Sequence, residues 1–144
     1  MVEDGSGDCD LLFVYGTLRR GFRLHGHLAK LGAEFRSEAQ ARGELFDLGT
    51  YPGARPSGNN EARLHGELFR LSRPAHDLAV LDDVEGFDPK EVGRSQFVRT
   101  VTEVTLTNGA CCRAWVYWLG NNSRPARRIP SGDYTTARAH DSSF

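Results

Sequence analysis

Leu11-Leu12-Phe13-Val14-Tyr15-Gly16-Thr17-Leu18-Arg19-Arg20-Gly21 is the stretch on which the reading of this chain turns. Four apolar residues and a tyrosine form a run too short for a stable helix but long enough for a buried strand, and Gly16 then frees the backbone to turn. The expected product is a strand that hands over to a glycine loop. Backbone N–H groups in such a loop, left unpaired by any neighbouring strand, form a concave site for a carboxylate or phosphate. Taken alone, the pattern fits an ordinary strand and turn better than a binding loop, since glycine is the usual residue at turns.

Upstream, residues 1–10 are rich in Gly, Asp and Ser and hold too little apolar surface to order themselves, so they are expected to form a flexible leader. Downstream, Leu24, Leu28 and Leu31 recur at four-then-three spacing, which predicts a short helix over 24–31 stopped by Gly32. His25 and His27 lie within it about 200° apart around the axis, so they cannot chelate one ion together and are expected to face solvent. Residues 33–48 and 61–71 read as strands. Each carries the tetrad Gly-Glu-Leu-Phe, at 43–46 and 66–69. Two copies are too few for a solenoid; a glycine at the same place in two strands instead suits the sharp bends of a closed or strongly coiled sheet. Residues 49–60 between them are breaker-rich and read as a loop long enough to wall a site.

A second helix is expected over 73–84, with Ser72 as N-cap, Pro74 in its first turn and Gly86 ending it in left-handed geometry. The clearest signal is the final pair of strands, 96–107 and 111–119, joined through Asn108-Gly109 as a type I′ hairpin. Beyond Gly120 the residues 121–144 form a partly ordered tail in which only Ile129 to Tyr134 is expected to dock and Ser142 and Ser143 to fray. Strands interrupted by two short helices, with no repeating βαβ unit, give an α+β domain over 11–120.

The chain has 144 residues, 39% hydrophobic and 26% charged, with a formal net charge of −1. That is the composition of one soluble globular domain, with no electrostatic pull toward nucleic acid or an anionic membrane. No segment approaches the roughly 20 apolar residues of a membrane span, and the acidic N-terminus is unlike a signal peptide. Cys9, Cys111 and Cys112 make an odd total, and the adjacent pair points to opposite faces of a strand, so no disulfide framework is expected and a cytoplasmic location suits them. Cys111 and Cys112 lack metal-ligand spacing and histidine partners, so no metal is expected. All but two of the 18 basic residues are arginine, a source of forked donors for carboxylates.

Tyr15-Gly16-Thr17-Leu18-Arg19 after an apolar N-terminal strand resembles the opening motif of the gamma-glutamyl cyclotransferase-like family, which includes the gamma-glutamylamine cyclotransferases. The resemblance continues, in the family's order, through Tyr51-Pro52-Gly53, Leu64-His65-Gly66-Glu67-Leu68-Phe69, Leu81-Asp82-Asp83-Val84-Glu85-Gly86-Phe87 and Ala114-Trp115-Val116-Tyr117. It implies a small mixed β-barrel flanked by short helices, with the substrate cavity at one mouth. It further implies that the N–H groups near Gly16, Thr17 and Leu18 hold a gamma-glutamyl group and that Tyr15 lines the pocket. Tyr117, on the last strand of the barrel, is a candidate phenol hydrogen bond. One departure is Phe97-Val98-Arg99, where many members carry a tyrosine before the arginine; Arg99 is kept only as a possible ligand, since an arginine on a strand is more often a surface residue.

The candidate acid–base group is Glu85. At about 100° per residue it falls within about 20° of Leu78 and about 40° of Leu81, so it shares their apolar face, whereas Asp83 points away. The negative end of the helix dipole and partial desolvation both disfavour its ionised form and raise its pKa. In the family the glutamate of this motif is taken as the acid–base residue, and Glu85 matches it. The implied reaction is attack of the alpha-amine of a gamma-glutamyl amine or amino acid on its own delta-carbonyl. It releases 5-oxoproline and free amine without a cofactor. The expected partner is thus a small gamma-glutamyl substrate, and the expected state a monomer or weak homodimer. Two readings stand beside it: a non-catalytic binder of an acidic metabolite, and removal of a gamma-glutamyl protecting group in natural-product synthesis.

Overall fold

The structure, a computed structural model, describes residues 9–49, 51–59, 61–120 and 127–134. Strand β1 (Leu11–Val14) is central. It pairs antiparallel with β4 (Arg63–Arg70) and parallel with β6 (Cys111–Leu119), with Leu12 opposite Trp115. From β6 the sheet continues antiparallel to β5 (Phe97–Leu106), and β5 returns to β2 (Glu34–Asp47) through Ala39–Ala41. Since β2 also pairs with β4, five strands close on themselves into a small mixed barrel. The short strands β3 (Pro52–Pro56) and β7 (Arg127–Ile129) pair with the last third of β2, outside the closed ring.

Alternation along β1 divides its side chains between two cores, as the pleat requires. Phe13 and Tyr15 join Ala39, Ala41, Leu64, Leu68, Val104 and Trp118 in one buried cluster. Leu12 and Val14 instead join Leu28 of α1 (His25–Lys30) and Leu78 and Leu81 of α2 (Pro74–Glu85), with Trp115 and Tyr117 of β6 beneath them. Strand β1 is therefore covered on both sides, which is why it reads as a continuous apolar run.

Both tetrad glycines sit where a side chain has no room. At Gly43, β2 leaves β4 and takes up β3, and a β-carbon there would lie 3.0 Å from the Arg55 carbonyl oxygen and from the Trp118 ring. At Gly66 a β-carbon would meet the Val14 carbonyl oxygen at 2.2 Å, so this glycine admits the end of β1.

Several local expectations are corrected. The 49–60 segment is not all loop, because β3 runs from Pro52 to Pro56 within it; a proline is tolerated at the end of an edge strand, where its missing N–H is not needed. The hairpin is not type I′. Leu106 accepts the Gly109 N–H and donates to the Ala110 carbonyl, and only Gly109 has positive φ (87°), so Thr107-Asn108-Gly109 is a three-residue loop, a type I turn closed by a left-handed glycine. Helix α2 is N-capped at Arg73 rather than Ser72; the buried Asp77 carboxylate accepts the Arg73 N–H at 3.0 Å, while Ser72 Oγ donates to the Leu31 carbonyl. Gly86 does close α2 in left-handed geometry, with φ 69°.

His25 faces solvent only in part: its Nδ1 lies 3.0 Å from the Leu18 carbonyl oxygen and its ring packs on Phe69. Cys9 and Asp10, counted with the leader in sequence, are tied to the barrel. Trp115 Nε1 donates to the Cys9 carbonyl, Leu71 N–H to the Asp10 carbonyl, and Arg70 pairs with the Asp10 carboxylate. Ile129 and Tyr134 are buried, as docking of that stretch requires; Ser142, Ser143 and residues 1–8 lie outside the described residues. No helix among the described residues is long and apolar enough to cross a membrane.

Candidate functional site

A cavity of about 200 Å³ opens where β1 ends. One wall is the Gly16-Thr17-Leu18 turn, and Arg23 and Leu24 flank it. The remaining lining comes from Tyr51 and Pro52 at the entry to β3, with Pro52 packed against Gly16, from Val84 and Glu85 at the end of α2, and from Gln96 and Phe97 at the start of β5, with Tyr15 and Tyr117 also exposed to it. The 49–60 segment thus does wall the cavity, through its first residues.

The turn has a simple cause. The Arg19 N–H closes back on the Gly16 carbonyl at 3.0 Å, and the Leu24 N–H closes on the Thr17 carbonyl at 2.9 Å. Those bonds consume carbonyls and leave the N–H groups of Gly16, Thr17 and Leu18 without a hydrogen-bond partner among the described residues. Three consecutive donors bordering one cavity are suited to an anion. Gly16 is required here by space, since a β-carbon would come within 2.6 Å of Pro52 Cγ across the cavity wall.

Glu85 is the last residue of α2 and its carboxylate accepts no hydrogen bond from the described residues. Burial raises its pKa to about 7, partly offset by the positive charge of Arg23. Its position beside the carbonyl end of α2 acts in the same direction as burial. Glu85 is the acidic side chain and Arg23 the basic one among the residues that border the cavity. Asp83, as its helical phase requires, is exposed.

The tyrosines are more committed than sequence suggests. Tyr15 donates its hydroxyl hydrogen to the Tyr117 carbonyl at 2.6 Å and accepts the Ala54 N–H at 3.1 Å, so the hydroxyl ties β3 to β6. Tyr117 donates its own hydroxyl to Asp82 Oδ1 at 2.7 Å. Burial, above all, raises the pKa of both phenols, so neither ionises near neutrality. Arg99 does not border the cavity and grips Asp82. Phe97, which lacks the hydroxyl expected of its position, lies against Tyr51 with ring centroids 6.1 Å apart, and the Tyr51 hydroxyl is held by the Gln96 side-chain amide.

Asp82, Arg23 and Gln96 are the residues that sequence reasoning passed over. Asp82 had a signal: it lies one turn beyond Leu78 and three residues before Glu85, on the same stripe, but an acidic pair at a helix end reads as solvated. Arg23 and Gln96 had none, because turns and strand entries carry no periodicity to show which way a side chain faces. Among the described residues no group of three or more His, Cys, Asp or Glu side chains converges as metal ligands.

Residues 12–136 match the sequence model of the family described as gamma-glutamyl cyclotransferase, AIG2-like. A protein of Vibrio cholerae, itself only assigned as a gamma-glutamylcyclotransferase, is 32% identical over 124 residues, which cover 86% of this chain and 94% of that one. The crystal structure of YkqA from Bacillus subtilis superposes with a TM-score of 0.72 at 25% identity over 94% of this chain; the chain spans 43% of YkqA. A mouse AIG2-like protein superposes with a TM-score of 0.64 at 23% identity, covering 79% of each chain, and shows the shared fold.

Proposed function

Because the chain belongs to the AIG2-like gamma-glutamyl cyclotransferase family, we propose that it cyclises a small gamma-glutamyl amine or gamma-glutamyl amino acid to 5-oxoproline and free amine. The observation that carries the reading is the pairing, in one cavity, of three unpartnered N–H groups with a carboxylate whose pKa is raised to about 7.

The substrate's alpha-carboxylate sits on the N–H groups of Gly16, Thr17 and Leu18. This places the alpha-ammonium near Glu85, and the walls of the small cavity fold the chain back on itself. Glu85, ionised, takes one proton from the ammonium. The freed amine attacks the delta-carbonyl carbon, a carbon–nitrogen bond forms to close the five-membered lactam, and the bond to the leaving nitrogen breaks. The proton held by Glu85 passes to that nitrogen; the freed carboxylate then takes the second proton, which the ring nitrogen sheds as it becomes a lactam N–H, and hands it to the departing amine, which leaves as an ammonium, so the carboxylate returns to its starting state. Because the reaction is intramolecular, holding the reacting atoms together supplies much of the rate; effective molarities of about 10⁵–10⁸ M are attainable by orientation alone. A group that must both take and return a proton works best with a pKa near the working pH, and a pKa of about 7 fits that demand where an ordinary exposed glutamate would not.

The test is mass spectrometry of the purified protein incubated with gamma-glutamyl amines, gamma-glutamyl amino acids and glutathione in water enriched in heavy oxygen. The expected products are equal amounts of unlabelled 5-oxoproline and free amine, with N-acetylated substrates inert. Labelled glutamate would replace cyclisation by hydrolysis. Silence across the panel with 5-oxoproline still bound would favour the non-catalytic binder.

A further inference from the structure

The two Gly-Glu-Leu-Phe tetrads use their glutamates differently. Glu44 on β2 is half-exposed, with Arg128 4.0 Å away. Glu67 on β4 is 5% exposed, borders no part of the cavity, and is filled by a single residue of the cavity loop: Arg20 donates its backbone N–H to Oε1 at 2.8 Å and its Nε–H to Oε2 at 3.2 Å. The Arg20 guanidinium also lies over the Phe35 ring, 3.6 Å from its centroid. A carboxylate withdrawn from water this far is costly unless its oxygens are satisfied, so the loop and the carboxylate hold one another.

The residue before Arg20 is tethered as well. Arg19 Nη1 donates to Asp133 Oδ1 at 3.0 Å and approaches the His65 carbonyl oxygen at 3.5 Å, and Phe22 packs on Tyr134 with centroids 5.4 Å apart. Along the loop, then, the N–H groups of Gly16, Thr17 and Leu18 are left for the cavity, that of Arg19 is spent on Gly16, and that of Arg20 is spent on Glu67. Glu67 pins the chain at the first residue past the turn that exposes the three free donors.

We propose that Glu67 is a positioning residue for the cavity loop, fixing Arg20 through its backbone and side chain so that the Gly16, Thr17 and Leu18 N–H groups converge on bound anion. The inference rests on the reading of that loop as the anion site, and it assigns different work to two glutamates that are indistinguishable in their local sequence.

The experiment compares Glu67→Gln with Glu44→Gln in the full chain, by calorimetry with 5-oxoproline, by kcat and KM on a gamma-glutamyl substrate that turns over, and by amide hydrogen exchange. Glu67→Gln keeps one acceptor but loses the charge, and is expected to weaken 5-oxoproline binding and raise KM by about tenfold, the worth of a hydrogen bond to a charged group. The pH profile of kcat should stay in place, and the amides of residues 16–20 should exchange faster. Glu44→Gln should change none of these. A folded Glu67→Gln with wild-type affinity, KM and loop exchange would overturn the proposal, as would a shifted kcat profile, which would put Glu67 in the chemistry itself. Should Glu67→Gln fail to fold, Arg20→Gln, at a half-exposed side chain, is expected to move affinity and exchange in the same direction, and unchanged values there would overturn the proposal equally. If wild-type protein neither binds 5-oxoproline nor turns over any substrate, the functional reading fails, and the exchange comparison still decides whether Glu67 fixes the loop.

Discussion

Asp82 and Arg99 form a two-pronged ion pair, Nε to Oδ1 at 2.7 Å and Nη2 to Oδ2 at 2.9 Å, three residues before Glu85 in the last turn of α2. Tyr117 adds a third donor to the same carboxylate at 2.7 Å, and the Arg99 guanidinium lies over the Trp115 ring, 4.3 Å from its centroid. The helix end that carries Glu85 is thus bolted to β5 and β6. Arg99→Met should leave Asp82 buried without its cation, a loss of about 3–5 kcal/mol measurable by urea unfolding. Arg99→Lys should recover little of it, because an ammonium cannot supply two parallel donors.

Glu85→Gln preserves shape and removes the base. Turnover should fall by about 10²–10⁴, the usual worth of general acid–base catalysis, while 5-oxoproline still binds. Asp83→Asn, on the exposed side of the same helix, should be nearly silent. Turnover of Glu85→Gln within tenfold of wild type would remove Glu85 from the mechanism.

The same carboxylate sets the pH dependence. With its pKa raised from 4.5 to about 7 in the folded state, Glu85 binds more protons folded than unfolded between those values. Its burial therefore costs stability that grows as pH rises through that window. Glu85→Gln should melt above wild type at pH 8 and close to it at pH 4. In activity, kcat/KM should rise with pH to a midpoint near 7. Arg23 favours the ionised form, so Arg23→Gln should move that midpoint upward, and a downward move would contradict the assigned interaction.

Gly16→Val tests the anion wall, and the structure adds a cost that the loop reading alone does not. A β-carbon at residue 16 meets Pro52 Cγ at 2.6 Å, so the start of β3 must yield. The variant should lose 5-oxoproline binding and also about 1–3 kcal/mol of stability, as overpacked sites do. Calorimetry showing wild-type affinity in a folded variant would place the ligand elsewhere.

Tyr15→Phe separates lining from chemistry. It leaves the buried Ala54 N–H and Tyr117 carbonyl without the hydroxyl that joins them. Each unsatisfied group costs about 1–3 kcal/mol, so the melting temperature should drop clearly. Turnover of the folded fraction should remain within several-fold of wild type; a loss comparable to Glu85→Gln would instead make the hydroxyl part of the reaction.

How far the sequence reached follows from the range of the forces involved. The strand pair around Asn108-Gly109, the leucines before Gly32 and the left-handed glycine after α2 are set by neighbours a few residues apart, and each element formed where its pattern lay. The phase that brings Glu85 onto the Leu78 and Leu81 face is equally local, and so is the turn after Val14 that leaves three N–H groups unpaired. Local chemistry misled where a partner arrived from elsewhere. Breaker-rich residues became β3 because β2 offered an edge, and Asp82 was buried because Arg99 and Tyr117 came to meet it.

By itself, the sequence determined an α+β domain, a glycine turn after β1 and an inward-facing glutamate at a helix end, because helical and strand periodicity and glycine's freedom act within a few residues. Tertiary structure alone decided which of two identical tetrads buries its glutamate against Arg20. It likewise decided that the Tyr15 hydroxyl is spent on Ala54 and Tyr117, and that Arg99 serves Asp82 rather than a ligand. Those outcomes depend on barrel closure through Ala39–Ala41 and Val104–Leu106 and on the docking of Asp133 and Tyr134 behind the loop. Contacts between segments so far apart in the chain are selected by packing and desolvation of the whole, and no local pattern encodes them.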